Sequence, residues 1–224
     1  MASRNLERLN KPKYCPIYIN LTGKKCVVIG GGCVAARKIK MLLEFDARVI
    51  AITPNIGHEL QNLSGNKNLR IIHRKYQLGD LEGAHLVISA SGNTHVNTEV
   101  MREIKERNGL LNIVDNPLES SFIFPAYVKK DNLTIAISTG GRSPALARKI
   151  KSIMQKEFDG EEAPMLDLIS EIRQELKSSN VIFSGEAWQQ ALNINMLKDL
   201  LKTGKKETAR AFLLENLKHS ASSG

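Results

Sequence analysis

The segment "KKCVVIGGGCVAARK", Lys24–Lys38, decides the fold, because it places three consecutive glycines between two apolar stretches of different periodicity. The β-branched run that ends at Ile29 is typical of a buried strand, whereas Val34 and Ile39 recur at helical spacing. The first turn of such a helix directs unpaired backbone N–H groups and a positive dipole end at whatever lies above the loop. The segment therefore predicts a strand, a tight turn and a helix whose first turn can bind a phosphate group.

The glycines also match the G-x-G-x-x-G/A pattern of dinucleotide-binding domains. In that pattern Gly30 makes the tight turn, Gly32 lets a pyrophosphate approach the backbone, and Ala35 lets the helix pack closely on the strand. The pattern alone is a weak signal, since a glycine turn also occurs without a ligand. A second apolar run, Arg48–Thr53, follows the predicted helix, and this context favours the dinucleotide interpretation.

The end of the second predicted strand lacks one feature of NAD-binding units. Those units carry an Asp or Glu there that binds the ribose hydroxyls, but this strand ends in "AITPN", Ala51–Asn55. Thr53 and Asn55 are the side chains that could hydrogen-bond a ribose instead. The choice between NAD and NADP stays open on this observation. The absence of an arginine at the strand end favours NAD, which we predict as the cofactor.

Further apolar runs continue the alternation of strands and helices. Strands are predicted at Leu69–His73, His85–Ala90 and Leu111–Val114, and a helix at Asn93–Arg107. Such alternation predicts an α/β fold with a Rossmann-type parallel sheet. Because ligands of these sheets bind at the carboxyl ends of the strands, Ser91 and Asp115 join the candidate site residues.

Beyond Asp115 the pattern changes. Two strand-like runs, Ser121–Val128 and Leu133–Ser138, are separated by a short polar stretch without a helix, which predicts a β-hairpin. Because a two-stranded hairpin is marginally stable alone, we expect it to pair with a second copy of the chain. Helices are predicted from Pro144 onward. The predicted domains are a dinucleotide-binding domain (1–114), a dimerisation and active-site domain (115–150) and a helical domain (151–224).

Two features outside the glycine segment could carry chemistry. Asp115, in "NIVDNP", either forms an ordinary turn or accepts a proton from a substrate. In "STGGRSPALARK", Ser138–Lys149, Ser143 and Pro144 are typical of a helix start. The four residues before Ser143 offer a hydroxyl and a guanidinium group on a flexible loop, which equally suits a carboxylate-binding site.

The composition limits the classes of ligand. Lysine and arginine number 32 against 23 acidic residues, and the net charge of +9 implies attraction to anions. The basic residues are spread along the chain and only 5% of residues are aromatic, which argues against a nucleic-acid surface. No apolar run approaches the roughly 18 residues that span a bilayer, and no leader segment is expected. Three cysteines without a C-x-x-C pair favour the cytoplasm, and the histidines show no zinc-ligand spacing, so we predict no metal site.

Three motifs together resemble a known family. "GGGCVAARK", "NIVDNPLESSFIFPA" and "AISTGGRSPALARK", in this order, are similar to the precorrin-2 dehydrogenases of sirohaem synthesis, and the likeness covers about residues 14–158. The resemblance implies an NAD-dependent oxidation of precorrin-2 to sirohydrochlorin by a homodimer of the stand-alone form, without a fused methyltransferase. It also implies an electropositive cleft, because the tetrapyrrole substrate bears carboxylate arms around its rim.

The resemblance carries roles onto individual residues. It implies that Asp115 is the catalytic aspartate, which takes a proton as a hydride leaves the macrocycle for the nicotinamide. The predicted cofactor-binding residues are Gly30, Gly31, Gly32, Cys33, Val34, Thr53, Pro54, Asn55 and Ser91. The predicted substrate-binding residues are Thr139, Gly140, Gly141, Arg142 and Ser143.

Two alternatives stay open. The first is a bifunctional enzyme that also inserts iron into sirohydrochlorin, with Asp115 and His95 as the candidate groups. The second is a dinucleotide-sensing regulatory protein, whose Rossmann domain would change conformation without chemistry. Asp115 discriminates between enzyme and sensor, because a sensor needs no proton acceptor beside the nicotinamide.

Overall fold

The computed structural model describes residues 12–158 and 162–222, and the chain divides into two compact units, Met1–Phe124 and Pro125–Gly224. The first unit contains a five-stranded sheet in the order β3-β2-β1-β4-β5, in which every neighbouring pair is parallel. Its strands are β1 (Lys25–Ile29), β2 (Arg48–Thr53), β3 (Leu69–His73), β4 (Leu86–Ser89) and β5 (Leu110–Ile113). Its helices are α1 (Cys33–Glu44), α2 (His58–Gln61) and α3 (Thr94–Glu106). The Rossmann-type sheet predicted from the sequence is confirmed.

Both faces of this sheet are buried, because alternate strand residues pack against helices on opposite sides. Cys26 and Val28 of β1 pack with Ile39 of α1 on one face. Val27 packs with Ile104 of α3 on the other. Burial raises the pKa of the Cys26 thiol to about 11, so this side chain stays neutral in the core at neutral pH. The near-continuous apolar run of β1 is therefore explained by burial on two faces.

The connection from β3 to β4, residues 74–85, contains turns and no helix. It is held by Glu103 of α3, which is only 2% exposed. This carboxylate accepts hydrogen bonds from the Tyr76 hydroxyl and from the backbone N–H groups of Gly79 at 3.2 Å and Leu81 at 3.3 Å. Burial, followed by the bond to Glu103, raises the pKa of Tyr76 far above its usual range, so the phenol remains a donor.

Replacing Glu103 should therefore destabilise the first unit. We expect Glu103→Ala to lower the free energy of unfolding by about 3 kcal/mol in a urea titration, because three donors lose their acceptor. Glu106→Ala removes an exposed carboxylate from the same helix and should change stability by less than about 0.5 kcal/mol. An equal loss in the two variants would contradict this role of Glu103.

The second unit joins a hairpin to a group of helices. Its strands are β6 (Ala126–Lys130) and β7 (Leu133–Ile137), which pair antiparallel. Its helices are α4 (Pro144–Glu157), α5 (Glu162–Ser178), α6 (Gly185–Ala191), α7 (Ile194–Lys202) and α8 (Lys206–Ser222). Leu168 and Ile172 of α5 pack with Leu197 of α7 and Leu213 of α8 in one apolar cluster. The helices predicted from Pro144 onward thus pack through their apolar faces.

The first hairpin strand begins later than the sequence predicts. Residues 121–125 form no strand, and the Ser121 N–H donates to the Leu111 carbonyl of the edge strand β5 at 2.8 Å. Pro125 has no N–H to contribute to a strand ladder. The prediction of a strand over Ser121–Val128 is therefore wrong for its first five residues.

The two units do not coincide with the three predicted domains. The hairpin and the helices share one unit, which begins at Pro125. The predicted division at 114/115 and 150/151 stays a prediction, and its residues 1–11, 159–161 and 223–224 lie outside the described part of the chain.

Candidate functional site

The three glycines after β1 meet three different environments. Gly30 has a left-handed φ of 125°, and a Cβ there would lie 2.4 Å from the Ala90 carbonyl oxygen. A Cβ on Gly31 would lie 2.1 Å from the Asn55 carbonyl oxygen. A Cβ on Gly32, in contrast, would meet no atom within 4 Å. Neighbouring loops therefore require the first two glycines, whereas the space at Gly32 is open.

Helix α1 begins beside this open space. Its N-cap is Gly32, so no side chain caps the helix, and the first turn contains no acidic residue. The backbone N–H groups of this turn are thus left for an external acceptor. Cys33 is exposed and Val34 is half-buried, so both reach the surface here. The arrangement fits a pyrophosphate, whose charge the helix dipole would stabilise.

The loop after β2 closes on the glycine turn. The Gly57 N–H donates to the Gly31 carbonyl at 3.0 Å. Thr53 is 2% exposed, and its hydroxyl donates to the Asn55 carbonyl at 2.8 Å. Pro54 and Asn55 are exposed. Thr53 therefore shapes the strand end from inside, while Pro54 and Asn55 are accessible to a ligand.

The loop after β4 is held by a small polar network. The Asn97 Oδ1 of α3 accepts hydrogen bonds from the Ser89 hydroxyl at 2.7 Å and the Ser91 hydroxyl at 3.0 Å. The same loop lies against Gly30, where the Ser91 nitrogen would be 3.3 Å from an added Cβ. Ser91 is half-buried. Ser91 thus lies beside the glycine turn, and its side chain is held by Asn97.

Asp115 follows β5 at the same edge of the sheet. Its φ of 64° is left-handed, a conformation that Asp and Asn adopt more readily than most other residues. The residue is exposed, and no hydrogen bond joins its carboxylate to another described residue. Since β5 is two strands from β1, Asp115 lies roughly 10 Å from the glycine turn along the sheet edge.

The turn that carries Asp115 is fixed by Ser120. The buried Ser120 hydroxyl donates to the Asn116 carbonyl at 2.7 Å and accepts from the Ile113 N–H at 2.9 Å. The Asn116 amide also donates to Glu119 at 2.6 Å. The backbone is therefore held on both sides of Asp115, so the position of this residue is fixed by the turn.

Lys38 of α1 lies near this turn. Its ammonium is 4.2 Å from the centre of the Phe124 ring. Burial, followed by the Arg37 charge, lowers the pKa of Lys38 to about 8, against the opposing effect of the Asp115 charge. The ring face of Phe124 also favours the charged form. Lys38 therefore changes charge close to neutral pH.

This pKa predicts a pH dependence of stability. Between about pH 8 and the ordinary lysine value of 10.5, the folded chain has released the Lys38 proton that the unfolded chain still binds. The stability of the wild type relative to Lys38→Met should therefore rise by on the order of 1 kcal/mol from pH 7.5 to pH 9.5 in urea titrations. Lys40→Met, at an exposed position of the same helix, is the control and should show no such rise.

The predicted substrate loop, Thr139–Ser143, lies in the second unit between β7 and α4. Its two glycines have left-handed φ values of 58° and 75°. The Ser143 side chain accepts from the Leu146 N–H at 3.2 Å, and the Thr139 hydroxyl accepts from the Ser143 N–H at 3.1 Å. Both hydroxyls thus support the helix start, as the cap interpretation predicts. Arg142 is exposed and directed to solvent.

The first unit brings the glycine turn, the end of β2, Ser91 and Asp115 to one edge of the sheet. Gly57 and Lys38 were missed by sequence reasoning. Gly57 follows the strand end by four residues and offered a recognisable loop signal. Lys38 offered none, because a lysine on an amphipathic helix is usually a solvated side chain.

Comparison with known proteins adds the decisive observation. Residues 17–126 match a family described as NAD(P)-binding, and residues 130–156 match the central domain of sirohaem biosynthesis proteins. The chain belongs to the sirohaem-synthesis family. This family assignment supports a nicotinamide dinucleotide as the cofactor.

Several curated relatives carry the name siroheme synthase. That of Vesicomyosocius okutanii is 29% identical over 92% of this chain and 45% of its own length. That of Baumannia cicadellinicola is 31% identical over the same shares, 92% and 45%. That of Pseudomonas paraeruginosa is 35% identical over 73% of this chain and 35% of its own length. The chain thus spans less than half of each of these relatives.

A solved structure shows the same fold. SirC, a precorrin-2 dehydrogenase, superimposes with a TM-score of 0.62 over 92% of this chain and 100% of its own, at 22% identity. Within the described residues, no helix is long and apolar enough to cross a membrane. Over the same ranges, no three His, Cys, Asp or Glu side chains are grouped so that they could hold a metal ion.

Proposed function

We propose that this chain catalyses the NAD-dependent dehydrogenation of precorrin-2 to sirohydrochlorin in sirohaem synthesis. The observation that carries the proposal is the shared sheet edge in a member of this family: an open glycine turn and an exposed aspartate lie at the carboxyl ends of β1 and β5. An NAD-dependent dehydrogenation needs a dinucleotide site and a proton acceptor. The glycine turn would supply the first and the aspartate the second.

The cofactor site is supported by the chemistry of the glycine turn. The open space at Gly32 and the uncapped first turn of α1 suit the pyrophosphate. Cys33 and Val34 would line that group, and Pro54 with Asn55 would contact the adenosine side. When bound, the oxidised nicotinamide accepts a hydride from the substrate.

We assign NAD rather than NADP on the basis of Arg74. This residue follows β3, whose last residue, His73, is paired with Thr53 at the end of β2. Its guanidinium is bound by Asp80 through two hydrogen bonds of 2.7 and 2.6 Å. The cation that follows the end of β3 is therefore already paired with a carboxylate, which disfavours binding of a 2′-phosphate.

Asp115 would act as the proton acceptor. Loss of two hydrogens from the macrocycle sends one as a hydride, with its electron pair, to the cofactor and the other as a proton to the Asp115 carboxylate. Its exposure and its fixed turn allow a large substrate to reach it. The partly buried Lys38 ammonium is a nearby positive charge, whose pKa the Asp115 charge raises against the effect of burial.

The substrate would be held through its carboxylates. We assign this role to the loop of Thr139, Gly140, Gly141, Arg142 and Ser143. Arg142 offers an exposed guanidinium for a bidentate contact with a carboxylate. The net charge of +9 supports attraction of a polycarboxylate.

A homodimer is part of this proposal. The β6–β7 hairpin contains two strands, with most of its residues half-exposed, and such a hairpin is marginal by itself. A second copy that pairs with it would supply the missing contacts. Light scattering of the purified chain should give twice the chain mass of 24.9 kDa.

The thiols support a proposal about the compartment. Cys15, Cys26 and Cys33 are all unpaired, and Cys15 and Cys33 are exposed. Exposed free thiols persist in a reducing environment. We therefore place the protein in the cytoplasm.

The reaction is tested by anaerobic absorbance spectroscopy with freshly prepared precorrin-2. NAD and NADP are supplied in separate reactions, and the spectrum of sirohydrochlorin is followed. We expect product with NAD and at least about tenfold slower formation with NADP. Absence of product with both cofactors, from folded protein that binds NAD, would support the dinucleotide sensor instead.

A further inference from the structure

A cavity of ≈ 320 Å³ lies at the amino ends of the first three strands, opposite the candidate active site. Four cationic side chains line it: Lys25, Arg48, Lys67 and Arg70. Strand β2 separates this end from Thr53 by five residue steps, or about 17 Å. The cavity is therefore a feature distinct from the dinucleotide site.

The register of the sheet explains why the cations converge. Lys25 is paired with Arg48, and Ile50 with Arg70, in adjacent parallel strands. Since side chains alternate between faces, the face that holds Val27 of β1 also holds these three cations. Three strands thus present positive charges side by side on one face.

The cavity is open because of the helix-free connection between β3 and β4. Helix α3 packs on β4 and β5 on this face, and residues 74–85 form only turns. On this face, the amino-terminal parts of β2 and β3 are therefore not covered by a helix. Ile50 therefore contributes apolar side-chain surface to the cavity, while the side chains of its neighbours Val49 and Leu69 pack in the cluster on the opposite face.

Two of the cations are held in place by the backbone. The Lys25 ammonium donates to the Glu82 carbonyl, and the Arg48 Nε donates to the Gly23 carbonyl at 2.7 Å. Asp80 is an acidic neighbour of Lys25, but it binds Arg74, and that bond lowers the Asp80 pKa more than the Lys25 charge does. In the described ranges, neither Lys67 nor Arg70 has an ion pair. The positive charge of the cavity is thus largely uncompensated.

We propose that this cavity binds a small polycarboxylate with an apolar body. Its volume falls at the lower end of the range of small-molecule sites, about 300 to 1,000 Å³. Arg48 and Arg70 suit carboxylates, because guanidinium groups bind them with two parallel hydrogen bonds. The apolar Ile50 side chain between the cations favours an organic anion over an inorganic one.

The test uses benzene-1,3,5-tricarboxylate as the probe and methyl NMR of the full chain as the readout. The Ile50 methyl signals should shift on titration. Arg48→Gln combined with Arg70→Gln should weaken binding by at least about tenfold. Lys40→Gln combined with Lys105→Gln removes two exposed cations elsewhere in the unit and should change affinity by less than about twofold.

Three results would overturn the proposal. The first is the absence of shifts at Ile50, and the second is an equal loss of affinity in both double variants. The third is equally tight binding of inorganic pyrophosphate, which would contradict the organic ligand class. Arg70→Gln alone, tested in parallel, should weaken binding at least threefold, and it avoids disturbing the Arg48 bond to Gly23.

Discussion

Asp115→Asn is expected to lower kcat for precorrin-2 oxidation by about 10²- to 10⁴-fold, because the amide cannot accept the proton that leaves the macrocycle. The affinity for NAD should stay within about twofold, since Asp115 lies two strands from the glycine turn. Asparagine is the sharper substitution than alanine here. The φ of Asp115 is 64°, and asparagine adopts this left-handed region readily, so the turn should survive.

Asp46→Asn provides a control of the same chemical change. Asp46 is exposed and has a φ of 55°, so the two sites share side chain, exposure and backbone conformation. We expect unchanged kcat in this variant. Turnover of Asp115→Asn within threefold of the wild type would exclude Asp115 as the proton acceptor, and joint loss of NAD binding would indicate a structural role.

Gly31→Ala and Gly32→Ala should separate folding from cofactor binding. A Cβ on Gly31 would overlap the Asn55 carbonyl oxygen at 2.1 Å and the Thr53 hydroxyl at 2.6 Å. Backbone on both sides would have to shift, so we expect a loss of about 4 kcal/mol or more in the free energy of unfolding. Urea unfolding followed by circular dichroism measures this loss.

Gly32→Ala should behave in the opposite way. Its φ of −79° suits any residue, and an added Cβ has no neighbour within 4 Å. Stability should change by less than about 1 kcal/mol, while the affinity for NAD falls at least about tenfold because the methyl group occupies the space of the pyrophosphate. Unchanged NAD binding in a folded Gly32→Ala protein would contradict the cofactor site.

The sheet could be predicted well because its signals are local. Strands such as Arg48–Thr53 are short β-branched runs bounded by loops, and burial on both faces makes them continuous in the sequence. The start of the segment Ser121–Val128 carries a similar signal, but Ser121 and Phe122 bond to β5 only through two side-chain bonds and one backbone bond. Such pairing depends on which strand lies beside it, which the local sequence does not show.

The candidate site was only partly predictable for the same reason. The glycine pattern and Asp115 are recognisable from spacing and position in the sequence. Gly31 has no room for a side chain because the loop at Asn55 approaches it, whereas the same loop leaves the space at Gly32 open. The lowered pKa of Lys38 likewise depends on burial against Phe124, far away in the sequence. Non-local contacts of this kind appear only in the folded chain.

The central claim is that this chain transfers a hydride from precorrin-2 to NAD. The most direct test is to measure NADH and sirohydrochlorin in the same anaerobic reaction, by absorbance and by chromatography. We predict that the two products form in equal amounts and at the same rate, and that both are lost in Asp115→Asn. Sirohydrochlorin without NADH, or NAD binding without either product, would contradict the claim.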